Sequence, residues 1–180
     1  MRPRQLSFLP RPEIEHGGDY RKGTRKTRRP FDPKRALHVT LRSSRARGAG
    51  SLLRPAHKWR VYELLERTAR RRRIRVYRFA NVGNHVHLIV QARTHADLKA
   101  FLREFAGVVA VMVTGAVKGR PEKFWEGRPW SKIIEWGRQF QNATRYVLLN
   151  VMESSGSRDR KLLSRLERER VVLIGPEPGS

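Results

Sequence analysis

The segment Gly83-Asn84-His85-Val86-His87-Leu88-Ile89-Val90 constrains the fold of this chain more than any other. It alternates through Leu88 and runs on into β-branched residues, the composition of a strand with a buried face. Residues i and i+2 of a strand point to one side. His85 and His87 therefore project together, about 7 Å apart along the backbone, while Val86 and Leu88 point the other way and need an apolar layer beneath them. The fold must supply a sheet with a core on one side and room for two imidazoles on the other. Paired imidazoles are a starting point for a divalent metal site. A buried His-x-His whose rings are satisfied by backbone or carboxylate partners is the open alternative at this point.

The flanking residues extend the pattern. Leu37-His38-Val39-Thr40-Leu41 alternates as a first strand, followed by a basic Gly/Ser-rich loop over 42–51. From Arg54 to about Arg73 the period turns helical, with Trp59, Tyr62, Leu65 and Ala69 as its apolar face. Ile74 to Ala80 reads as a second strand. Asn81 to Asn84 then turn the chain into a third, His85 to Gln91, so these two pair as a hairpin. Thr94 has the chemistry of an N-cap for a second helix reaching about Val113, with Leu98, Phe101, Leu102, Phe105 and Val109 inward. After a Gly/Lys/Arg/Pro linker, Trp130 to Trp136 reads as a fourth strand and Gln139 to Glu153 as a third helix. Strand, helix, strand, strand, helix, strand, helix is the order of an α+β, ferredoxin-like split β-α-β sandwich. Its antiparallel sheet carries helices on one face, with the last helix added. His85 and His87 belong on the open face.

Three regions follow: a basic arm at 1–35, expected to be mostly disordered and to contact a polyanion; a domain at 36–153; and a charged tail at 154–180. The chain has 180 residues and a formal charge of +24, from 40 Lys and Arg against 16 Asp and Glu. Arginine dominates, and guanidinium pairs bidentately with phosphate, so the expected partner is nucleic acid. A membrane is not expected as a partner, because no run reaches spanning length and the first residues lack a signal-peptide core. Cysteine is absent, which excludes disulfides and thiolate metal sites and suits a reducing, cytoplasmic setting.

Tyr146 and Asn150 lie four residues apart on the third helix, on one face and about 6 Å apart along the axis. By themselves they read as a boundary tyrosine and a polar helix-end residue. Together with the strand motif they carry more. Gly83-Asn84-His85-Val86-His87-Leu88-Ile89-Val90, then Phe124-Trp125-Glu126, then Arg145-Tyr146-Val147-Leu148-Leu149-Asn150 resemble the single-tyrosine HUH transposases, the IS200-like superfamily. The resemblance is closest to REP-associated tyrosine transposases and spans about 36–153. Two departures stand out. Val151 occupies the place of a frequent proline after the asparagine, which lets the helix continue, and Gly83 stands where many relatives have proline.

The resemblance implies a DNA endonuclease and strand transferase with a ferredoxin-like core, usually dimeric, although a monomer is equally compatible with the chain. It implies Tyr146 as the nucleophile, forming a 5′-phosphotyrosine, and His85, His87 and Asn150 as ligands of Mg²⁺ or Mn²⁺. Single-stranded or hairpin DNA, as in repetitive palindromes, is the implied substrate. The competing class is a non-catalytic nucleic-acid-binding protein on the same fold, which has no need of His85, His87, Tyr146 and Asn150 together.

Arg25, Arg28 and Arg29 in the arm, and the run Arg70, Arg71, Arg72 and Arg73, are the expected phosphate contacts. His38 reads first as a polar face residue of its strand and second as a substrate contact. His16, His57 and His95 read as structural or solvated. Trp125, Trp130 and Trp136 read as core residues before base-stacking ones.

Overall fold

The computed structural model describes residues 14–18, 28–117, 120 and 122–154. Its elements are β1 Glu15–His16, β2 Ala36–Arg42, α1 Pro55–Arg71, β3 Arg75–Asn81, β4 His85–Gln91, α2 His95–Thr114, β5 Trp130–Ile134 and α3 Arg138–Ser154. The strands form one antiparallel sheet in the order β1-β5-β2-β4-β3. The α+β, ferredoxin-like expectation is what the chain adopts.

Alternation along the strands separates two layers. Leu37, Val39, Leu41, Val76, Val86, Leu88 and Val90 share a core with Val61, Leu65 and Ala69 of α1 and Leu98, Phe101, Phe105 and Val109 of α2. Between Val76 and Arg78 the register with β4 shifts, so Val76 and Phe79 still oppose Val90 and Leu88. The extra residue keeps the inward parity of β3 on both sides of the bulge. Thr94 caps α2 as expected, its Oγ1 accepting from Asp97 N–H at 3.0 Å, and Gly115 ends the helix at φ 68°.

The opposite face is not open along its length. Val147 of α3, flanked by Phe140, Ala143 and Val151, packs on Ala36, Ala80, Ile89 and Ile134. α3 continues past Asn150 to Ser154, as the absence of a proline at Val151 allows. The helix covers one part of this face and leaves the rest to the polar residues of β2 and β4.

Three expectations need correction. Trp59 is 67 % exposed rather than part of the α1 core, and Val61 takes the inward position. The fourth strand ends at Ile134, and Trp136 enters the turn before α3, donating its indole N–H to Lys34 O at 2.7 Å. At its described residues, the arm at 1–35 is part of the folded domain. Glu15 and His16 extend the sheet beside Lys132 and Ser131. Gly17 turns away at φ 79°, where an added Cβ would meet Pro129 O at 2.3 Å. Arg25 and the tail from 155 onward lie outside the described residues. Among the described residues no helix is long and apolar enough to cross a membrane.

A candidate active-site cleft beside the last helix

Antiparallel register collects the polar residues of the second face. Thr40 lies opposite His87 on one side and Trp130 on the other, while His38 lies opposite Ile89 and Lys132. Opposed residues share a face, so His38, Thr40, His85, His87 and Trp130 form one patch. α3 brings Tyr146 to its edge. The patch floors a cleft of about 1130 Å³.

The rings form a continuous group. His85 and His87 have centroids 4.7 Å apart. Tyr146 meets His87 edge-on at 5.5 Å and His38 at 5.8 Å, and Trp130 closes on His38 at 5.3 Å. Tyr146 lines the cleft and stays 50 % exposed.

Hydrogen bonds fix what each imidazole has left to offer. His87 Nδ1 lies 3.2 Å from His38 Nε2 and 3.1 Å from Thr40 Oγ1. Its Nε2 is buried and makes no hydrogen bond. Burying such an atom costs free energy unless something binds it. His85 Nδ1 sits 2.6 Å from Asn84 Oδ1. An amide oxygen only accepts, so Nδ1 carries the proton and the Nε2 lone pair is free. Both rings thus hold one nitrogen in a protein hydrogen bond and keep the other for a ligand, as metal-binding histidines do. Burial lowers the His87 pKa to about 3, with the neighbouring His38 and His85 adding to the effect. Burial and then Lys132 lower His38 to about 4. Burial followed by Arg42 lowers His85. Neutral imidazoles, the ligating form, are therefore favoured at neutral pH.

Asn150 does not line the cleft. Its Nδ2 donates to Tyr146 O at 2.8 Å, which leaves Oδ1 as the atom available to a ligand. Among the described residues no group of three or more His, Asp or Glu side chains is gathered for a metal ion.

Basic residues on the rim face the ring cluster. Arg42, Arg45, Lys123 and Arg128 line the cleft, and the single lining carboxylate, Glu126, stands 3.6 Å from Arg42. None of these cations is among the phosphate contacts expected from the sequence: Arg42 ends β2 and the others lie in separate loops, outside the arginine runs. Of the arginines expected from the sequence, the described ones do not line this cleft. Arg71 and Arg72 both pair with Glu104 of α2, and Arg70 stands 3.6 Å from Glu66. This run leads into Arg75, whose partner Gln91 is at the far end of β4 from His85. Arg29 donates to Pro129 O at 2.7 Å and to Ser131 Oγ, tying the arm to β5.

Of the aromatic residues, Trp125 donates its N–H to Ala106 O at 2.8 Å and packs against the main core. Trp130 alone joins the ring cluster. His57 is held by Ser51 O at 2.9 Å, and His95 packs edge-on against Phe31. His16, expected to be structural or solvated, is buried in β1. His38, read first as a polar face residue of its strand, joins the ring cluster. Its i+2 spacing from Thr40 was legible, but its pairing with His87 depends on strand order.

A family model described as "Transposase IS200 like" matches residues 37–141. A solved structure of a REP-associated tyrosine transposase bound to a REP hairpin superposes with a TM-score of 0.57 at 12 % identity, over 87 % of this chain and 94 % of that one. No curated protein matches the sequence.

Proposed function

Because the chain belongs to the IS200-like transposase family, we propose that it cuts and rejoins single-stranded or hairpin DNA through Tyr146. The observation that carries this reading is the meeting of the Tyr146 ring with those of His87 and His38 inside one subunit. A monomer then holds nucleophile and histidines together, and a homodimer would hold two such sites. Hairpin DNA suits the cleft because a single strand beside a stem can enter where a paired strand cannot. The solved REP-hairpin complex of a protein with this fold points the same way.

The donor set fits a divalent ion, Mg²⁺ or Mn²⁺. His85 Nε2 and His87 Nε2 would hold it, the second being a buried nitrogen with no other partner. Asn150 Oδ1 is the candidate third ligand, one turn beyond Tyr146. When bound, such an ion neutralises a non-bridging phosphate oxygen and supports the departing 3′ oxygen.

The side chains supply the rest. Arg42, Arg45, Lys123 and Arg128 hold the strand by its phosphates at the rim. Asn84 holds His85 Nδ1, and Thr40 and His38 engage His87 Nδ1, so the protein hydrogen bonds of both rings are made away from Nε2. Tyr146 Oη attacks phosphorus and loses its proton. The P–O bond to the 3′ oxygen breaks, and that oxygen leaves as a hydroxyl after taking up a proton. The 5′-phosphotyrosine keeps the bond energy, so a 3′-hydroxyl can attack it and restore a phosphodiester.

The test mixes the full chain, Mn²⁺ or Mg²⁺ and labelled hairpin DNA with a single-stranded flank, then looks for a denaturant-resistant adduct. Wild type forms it and Tyr146→Phe does not. An adduct that survives in Tyr146→Phe displaces Tyr146 as nucleophile. Wild type that binds the hairpin but never forms an adduct supports the non-catalytic nucleic-acid-binding alternative.

A further inference from the structure

A second, smaller pocket of about 330 Å³ lies between the arm and the start of α2. Arg28, Arg29, Lys99 and Arg128 line it together with His95, and among the described residues no carboxylate does. Of the described acids close in sequence, Asp32 pairs with Arg35, Glu126 with Arg42 and Glu15 with Lys132, while Asp97 Oδ2 accepts from Thr94 Oγ1 at 2.6 Å. Arg28, Lys99 and Arg128 make no ion pair among the described residues. The pocket therefore gathers cations without an internal counter-charge.

The electrostatic strain is visible on the groups inside it. Burial and then the charge of Arg128 lower the Arg29 pKa to about 10. His95 is lowered by burial, then by Arg28, Arg29 and Lys99. Arg29 cannot swing away, because Pro129 O and Ser131 Oγ hold its guanidinium. A fixed guanidinium beside unpaired cations is the chemistry of a phosphate site.

We propose that this pocket binds a phosphate group of the DNA strand flanking the one that Tyr146 attacks. The inference rests on the strand-transfer reading above. Continuity identifies the source of the phosphate: Arg128 and His16 line both the pocket and the large cleft. A strand leaving the ring cluster past Arg128 arrives at Arg28 and Lys99. β1 and Arg28–Arg29 then form a wall of the strand path, with Glu15 and His16 paired to β5 and Arg29 bonded to Pro129 O.

The test compares Arg28→Ala/Lys99→Ala with Arg60→Ala/Arg103→Ala, which removes the same charge from exposed helix positions outside both pockets. Both are made in the full chain, leaving Arg29 and Arg128 intact. Binding of a hairpin with a single-stranded flank is measured against salt concentration. The pocket variant should lose about 0.7 from the log–log salt slope, the contribution of one single-strand phosphate. Its affinity should fall about fivefold at 0.1 M salt, a loss the control largely escapes. Equal losses in the two variants overturn the proposal in favour of diffuse charge.

A second measurement follows thermal unfolding in inorganic phosphate against chloride at matched ionic strength. Phosphate should raise the wild-type Tm and not that of the pocket variant. If that difference appears while the DNA slope is unchanged, the strand assignment is overturned and the pocket serves free phosphate. If wild type binds no DNA, the strand-transfer reading fails, and a phosphate-dependent Tm still decides whether the pocket is an anion site. No phosphate effect on wild type overturns the site itself.

Discussion

The ring of Tyr146 stands edge-on to that of His87, their centroids 5.5 Å apart and their planes at 85°. Phenylalanine preserves that contact and removes only the hydroxyl. Tyr146→Phe should therefore abolish the covalent DNA adduct while leaving hairpin affinity and folding intact, within about 0.5 kcal/mol of stability for a half-exposed side chain. Gel analysis of the adduct and a urea titration check the two halves. A variant that loses DNA binding along with the adduct would make the hydroxyl a binding group instead of the nucleophile.

His38 Nε2 lies 3.2 Å from His87 Nδ1, and on the function proposed above it orients a metal-binding ring. Removing such a partner of a metal-binding imidazole costs about 10- to 100-fold in affinity. His38→Ala is expected to weaken Mn²⁺ binding by that amount, as titration calorimetry would show, and His38→Asn to recover part of it. His87→Ala should lose metal-dependent adduct formation yet keep most DNA affinity, which the basic rim supplies. Unchanged Mn²⁺ affinity in His38→Ala would reduce His38 to a packing residue.

Acid should destabilise the fold before it protonates this cluster. Burial first, with Lys132 for His38 and with His38 and His85 for His87, brings the two rings to about 4 and about 3 from the ordinary 6.5. Below pH 6.5 the unfolded chain takes up protons that the folded chain refuses. Stability is then flat above that pH and falls as pH drops toward 4. Tyr146 and Trp130 also pack against the pair. Urea midpoints at pH 7.5, 6 and 5 measure the decline, and the His38→Asn/His87→Gln double variant should flatten it. Stability that rises on acidification would contradict neutral burial of these rings.

The elements and the two histidines were legible because periodicity is local: i and i+2 on a strand, i and i+4 on a helix. The inward stripe of α2 and the sidedness of β4 follow from that alone. What was not legible depends on contacts distant in sequence. Thr40 faces His87 because β2 is central, and a single run of residues cannot declare strand order. Glu15 and His16 are too short an alternation to register as a strand, and only β5 beside them makes them one. Trp59 misled because two successive steps of three, to Tyr62 and Leu65, each look in phase but together drift about 120° around the helix, whereas Val61, Leu65 and Ala69 at steps of four stay on one side. Charge runs drew attention to Arg70 through Arg73, while cations from separate loops converge on the cleft.

That arginine run yields the last prediction. Glu104 has a 13 % exposed side chain and receives both Arg71 and Arg72, the latter at 2.8 Å, so it fastens the end of α1 to α2. Glu104→Ala leaves two guanidiniums without their carboxylate. Charged hydrogen bonds of this kind are worth about 1.5–3 kcal/mol when sheltered, and the exposure of the arginines reduces that to about 1–2 kcal/mol. The loss should appear as a lower urea midpoint with an unchanged slope. Arg71→Ala and Arg72→Ala should likewise cost stability, because each is engaged in holding two helices together. If the pair serves the fold and not the DNA, either substitution leaves the salt slope of hairpin binding within about 0.3 of wild type, less than half of one single-strand contact. A drop of a full contact with no change in the urea midpoint would return these arginines to the DNA interface and make their pairing with Glu104 incidental.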